Sequence, residues 1–152
     1  MIDLNTIQTA LADLRVKEEP VLDEQFRQIP NYKLIRRVKD DQEIAIVSDR
    51  YQVYQHENAY YDTIDKINKL GLNAELKTFK VNCDKRHNAI HVTWVFPEIG
   101  FNIDGSKTTA SLELLNSTDG LMGYHEFLGI YRVRCQNGLI VGEDIFKSYR
   151  KH

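Results

Sequence analysis

The stretch AELKTFKVNCDKRHNAIHVTWVFP, Ala74 to Pro97, decides the fold class. Its two outer segments, AELKTFKV and NAIHVTWVFP, alternate or run apolar and are rich in β-branched and aromatic residues. The polar CDKRHN between them reads as the turn of a hairpin. Working outward, YKLIRRV and QEIAIVS make a second strand pair around Lys39-Asp40-Asp41. TASLELLNS and MGYHEFLGIYRVRC make a third around the turn Thr118-Asp119-Gly120.

Two segments carry helical spacing instead. Ile7, Ala10, Leu11 and Leu14 form one stripe, with Asp3 and Asn5 available as caps. Tyr60, Ile64, Ile67 and Leu70 form another, closed by Gly71 at a left-handed C-terminal position. Val16 to Asn31, punctuated by Pro20 and Pro30, reads as a connector, and Phe101 to Ser106 as a loop. The expectation is an α+β fold: a single, mostly antiparallel sheet of about six strands with two helices packed on one face. The 152 residues are about one domain's worth, with helix and connector over 1–31 and the sheet core over 32–152.

Composition narrows the function classes. A formal net charge of -2 gives no global basic signal for nucleic acid. The distribution is uneven: residues 1–31 hold six acids against three bases, and residues 124–152 hold five bases against three acids. No apolar run approaches the ~20 residues that span a bilayer, and MIDLNTIQ has no leader pattern, so the expected place is the cytoplasm, with no membrane partner. Two cysteines, Cys83 and Cys135, are too few for a disulfide framework. Neither phosphate-cradling glycine motif is present, and no cofactor is expected.

Cys83, His87 and His91 are spaced four apart, which on a helix would gather a soft-metal site. On a hairpin the same residues lie ~13 Å from one another, so the expected metal set is none. His56, His125 and His152 are isolated from any nucleophile, and the acid pairs have no partner carboxylate opposite, so no catalytic residue and no enzyme activity is expected. Basic and aromatic residues do interleave: Tyr32, Lys33, Arg36 and Arg37 in one segment, and Tyr131, Arg132, Arg134, Tyr149, Arg150 and Lys151 near the C-terminus. Such a mixture suits single-stranded nucleic acid, whose bases stack on aromatic rings while cations follow the phosphates.

VSDRYQVYQHENAYYDTIDKI, with ELLNSTDGLMGYHEFLGIYRVRCQNGLIVG some fifty residues later, resembles the phage- and plasmid-encoded domain of unknown function numbered nine-three-two. The resemblance rests on three ordered pieces: Ser48-x-x-Tyr51 before a helix, Ser117-x-Asp119-Gly120, and Arg132-x-x-Cys135-x-Asn137. It spans about residues 42 to 152, and because members of that family commonly run further, this chain would be a short or truncated one. The resemblance implies a gene of mobile elements that accompanies replication or recombination, and imports no activity.

Asp119-Gly120 and Asn137-Gly138 read as turns and Cys135 as a small buried residue. Arg132 and Arg134 are left without a structural duty. The leading expectation is therefore an accessory protein binding single-stranded DNA or RNA through Arg132, Arg134, Arg36, Arg37 and Arg150, with Tyr131 or Tyr149 stacking. The alternative is a non-enzymatic module that self-assembles into a homo-oligomer or engages a host or phage protein through a sheet edge or the acidic N-terminal segment.

Overall fold

The computed structural model describes residues 3–103, 105–132, 139–140 and 146–150, with side chains from 3 to 131 apart from those at 103, 104 and 106. Helix α1 (Leu4–Asp13) is followed by strands β1 (Val16–Leu22), β2 (Gln28–Arg37) and β3 (Glu43–Ser48). Helix α2 (His56–Lys69) then leads into β4 (Glu75–Cys83), β5 (Asn88–Ile103), β6 (Ser106–Ser117), β7 (Tyr124–Arg132), β8 (Leu139–Ile140) and β9 (Phe146–Arg150).

The strands form two antiparallel sheets rather than the expected one. The smaller has the order β1-β2-β3, and the larger runs β4-β5-β6-β7, with β8 and β9 both paired to β7. The class α+β stands, and the single six-stranded sheet does not. The error traces to Val16–Leu22, which is a strand and not a connector. Pro20 suggested a break, but β1 is an edge strand, where a residue lacking an N–H costs no ladder bond. Pro30 falls in β2 outside the residues that pair with β1 or β3. With β1 in place the first hairpin becomes a complete three-stranded sheet with its own small core of Val16, Ile35 and Ile44, against which Val47, Tyr51 and Val53 pack.

Both helices cover one face of the larger sheet. Alternation along β5 sends Ile90, Val92, Trp94 and Phe96 to that face, where they meet Ile7, Leu11 and Leu14 of the α1 segment and Ala59, Tyr60 and Ile67 of α2. Asp3 caps α1 by accepting from the Thr6 amide. Gly71 closes α2 at φ 66°, as its position after the apolar stripe indicates. The expected loop at 101–106 is instead the end of a long hairpin. β5 and β6 stay paired out to Ile103 and Ser106, and a bulge between Phe96 and Gly100 accommodates Pro97.

The sheets meet where the β6–β7 turn approaches β3. Gly120 has φ 77°, and a Cβ built there would lie 2.9 Å from Val47 Cγ1. Gly120→Ala should therefore combine about 1–2 kcal/mol of left-handed backbone strain with a clash, whereas Gly71→Ala, at a similar φ with nothing within 4 Å, should show the strain alone. Urea denaturation of the two variants measures the difference. Equal losses would mean that the approach of Val47 is unimportant to stability.

Candidate functional site

The residues expected to bind nucleic acid separate into two groups in space. Arg36 and Arg37 are engaged with carboxylates. Arg36 Nε donates to Glu19 at 2.7 Å and Nη2 to Glu43 at 3.0 Å, with Asp41 at 3.7 Å. Arg37 is buried and grips Asp40 through two bonds of 2.9 and 2.7 Å, while Nη1 reaches Cys83 Sγ and the Asp84 carbonyl. Lys33, on the same face as Arg37, pairs with Glu18 at 2.8 Å. The basic stripe suggested by this strand is thus neutralised, and Arg37 serves to link the smaller sheet to the β4–β5 hairpin.

Tyr131 is half-buried on β7 and pairs with Thr109 of β6 and Ile140 of β8. Arg132 ends β7 opposite Thr108 and Leu139, Tyr149 of β9 lies opposite His125, and Arg150 lies opposite Tyr124. Arg134, Cys135 and the Asn137-Gly138 turn lie outside the described residues. Cys83, His87 and His91 have separate partners: Cys83 meets Arg37, His87 Nδ1 meets Asp84 at 2.7 Å, and His91 Nε2 meets Glu113 at 2.9 Å.

The best-defined polar constellation is one that the sequence reading missed. Asn88 opens β5 and Asn116 nearly ends β6, and between them lies His56, the first residue of α2; all three are buried. His56 Nε2 faces the Asn88 carbonyl at 3.1 Å, so it must donate. The Asn116 amide nitrogen lies 2.8 Å from the Tyr54 carbonyl, which orients it as a donor, and it meets His56 Nδ1 at 3.0 Å. His56 is thereby held as the neutral tautomer protonated on Nε2. Asn88 Nδ2 reaches the Leu14 carbonyl at 2.8 Å and Thr118 Oγ1 at 2.6 Å, and its backbone N–H donates to Asp119 Oδ2 at 3.0 Å. Thr118 returns its own N–H to the Asn88 carbonyl at 2.9 Å.

This cluster ties the end of α1, the start of α2 and two hairpins of the larger sheet into one joint. It also brings together two of the motif pieces noted in the sequence. Tyr51, the last residue of Ser48-x-x-Tyr51, donates its hydroxyl to the carbonyl of Ser117, the first residue of Ser117-x-Asp119-Gly120, at 3.3 Å. The signal available in the sequence was weak: asparagines at the ends of apolar strands, where asparagine is normally depleted.

A second feature lies on the smaller sheet. Phe26 is 85% exposed at the tip of the β1–β2 hairpin, with φ 60°, a conformation unusual for a bulky residue. The tip is nevertheless well braced. Asp23 Oδ1 accepts from the amides of Gln25 and Arg27 at 2.8 and 2.9 Å, Oδ2 accepts from Arg27 Nε at 2.9 Å, and the Phe26 amide donates to the Asp23 carbonyl at 2.9 Å. These donors, the Arg27 amide foremost, hold the Asp23 carboxyl below its usual range. Leu22, Ile29, Tyr32 and Ile46 of the same sheet are also exposed.

Burial pushes the Tyr51 hydroxyl up to about 12, against an ordinary value of 10.0. An unfolded chain loses this proton first, so the Tyr51 contribution is complete below about pH 10 and is lost as the pH rises toward 12. In Tyr51→Phe the alkaline fall in stability over that window should shrink, as measured by urea denaturation from pH 8 to 12. An unchanged alkaline limb would show that Tyr51 does not keep its proton by burial.

Residues 43–151 match the family described as Domain of unknown function (DUF932). No curated protein and no solved structure matches the chain. The matched segment takes in β3, α2 and the larger sheet, and so contains both motif pieces that meet at the joint. With most of its length matched, and with those pieces in contact, the chain belongs to the DUF932 family.

Proposed function

We propose that the protein is a non-enzymatic interaction module that engages a protein partner, or a further copy of itself, through the β1–β2 arm of the three-stranded sheet. The observation that carries this reading is Phe26. A large apolar side chain is presented to solvent at φ 60° by a tip braced by the Asp23 carboxylate and carbonyl. Rigid presentation lowers the ordering cost of binding, and a single aromatic anchor flanked by apolar neighbours is the usual energetic centre of an interface. Leu22, Ile29 and Tyr32 supply such neighbours on the same hairpin.

Single-stranded nucleic acid is a second reading, supported by a separate observation. Lys80, Lys85 and Arg86 on the β4–β5 hairpin are exposed and make no ion pair among the described residues, unlike Arg36 and Arg37. Cations without carboxylate partners are the ones available to phosphate. On this reading Arg132, Arg134, Tyr131, Tyr149 and Arg150 would add further contacts to the nucleic-acid strand.

Phe26→Asp should leave the circular dichroism spectrum and melting temperature near wild type, because the side chain is almost fully exposed. It should abolish any concentration-dependent dimerisation seen by sedimentation, and weaken a crosslinked partner by at least about thirtyfold, the scale of an interfacial hot spot. Association or capture that Phe26→Asp leaves intact would contradict the arm as the interface. Labelled single-stranded DNA and RNA, titrated at low and moderate salt, address the second reading. Salt-sensitive binding weakened by Lys80→Ala/Lys85→Ala/Arg86→Ala or by Arg132→Ala/Arg134→Ala would favour it.

A further inference from the structure

Helix α2 ends at Lys69, but the sheet beneath it continues. Past the helix end, Phe96 before the β5 bulge, Ala110 and Leu112 of β6 and Leu128 of β7 floor a cleft of about 410 Å³, walled by Ile67, Leu70, Leu72 and Ile99. That volume falls in the range of roughly 300–1,000 Å³ typical of small-molecule sites. The lining is apolar except at one end, where Lys66 and Glu126 stand together.

The polar end is built. Glu126 is only 6% exposed, its Oε1 accepts from Thr63 Oγ1 at 2.6 Å, and its Oε2 pairs with Lys66 Nζ. Lys66 Nζ also donates to the Tyr124 hydroxyl at 3.1 Å and lies 5.4 Å above that ring. Two of the ammonium protons are therefore used and one remains, while the carboxylate can accept further donors. The pair is self-neutralising, which restricts what can join it. A carboxylate drawn to Lys66 would be brought against Glu126, and an ammonium drawn to Glu126 would be brought against Lys66.

We propose that this cleft binds a small neutral amphiphile, an alkyl or aromatic body carrying one hydroxyl or primary amide. The body fills the apolar floor, and the head donates to Glu126 while accepting from Lys66. Nothing in this assignment depends on the Phe26 arm, which belongs to the other sheet.

Calorimetric titration of the full chain with 1-hexanol, 1-heptanol and 1-octanol tests it, with octanamide, octanoate and octylamine as comparators. Affinity should rise about fourfold per methylene through the alcohol series. Octanamide should bind like octanol, and the two charged analogues at least tenfold more weakly. Ala110→Phe, which fills the floor, and Ile99→Glu, at the more exposed wall, should each reduce octanol binding at least tenfold. Phe26→Asp should leave it unchanged. If Ala110→Phe fails to fold, Ile99→Glu alone decides. No heat with octanol, charged analogues that bind as tightly as octanol, or binding that survives in the folded floor and wall variants would each overturn the proposal.

Discussion

A buried polar joint around Asn88 ties together segments that are far apart in the sequence. Its amide nitrogen, backbone N–H and carbonyl reach Leu14, Thr118, Asp119 and His56, which belong to three other segments of the chain. Each buried hydrogen bond is worth only about 1 kcal/mol net, but leaving one partner unmet costs about 1–3 kcal/mol. The members of such a network therefore stand or fall together. The joint forces the start of β5, the β6–β7 turn, the end of α1 and the start of α2 to one place.

That placement sets the position of both the apolar cleft and the Phe26 arm. With α2 anchored at His56, its far end stops short of the sheet's extent, and the apolar cleft opens beyond Lys69. Gly120 pressed on Val47 and Tyr51 bonded to Ser117 tie the three-stranded sheet down beside Lys33, and the β1–β2 arm runs on past that point to its tip at Phe26. Arg37 adds a further tie, from the end of β2 to the β4–β5 hairpin. Attachment at these two places gives the base of the braced Phe26 arm a definite position.

Much of this was legible in the sequence, and the failures have physical causes. Strand pairs around Lys39-Asp40-Asp41, Cys83–Asn88 and Thr118-Asp119-Gly120 follow from alternation and turn chemistry, and both helices follow from their stripes. β1 was missed because Pro20 reads as a breaker, which holds for a central strand and not for an edge. Arg36 and Arg37 looked available because a sequence does not display the carboxylates that β1, β3 and the β2–β3 turn bring beside them. His56, Asn88 and Asn116 are 32 and 28 residues apart, and only the paired register of β5 and β6 gathers them.

Amide hydrogen exchange resolved at Asn88 and Thr118 reports whether the joint holds the segments together. Both N–H groups are bonded within the joint, so both should exchange as slowly as the core amides of Val92 and Leu114, through global unfolding alone. Exchange at Asn88 and Thr118 that is orders of magnitude faster than at Val92 and Leu114 would mean that the joint opens while the sheet stays folded, and that it does not hold the segments together.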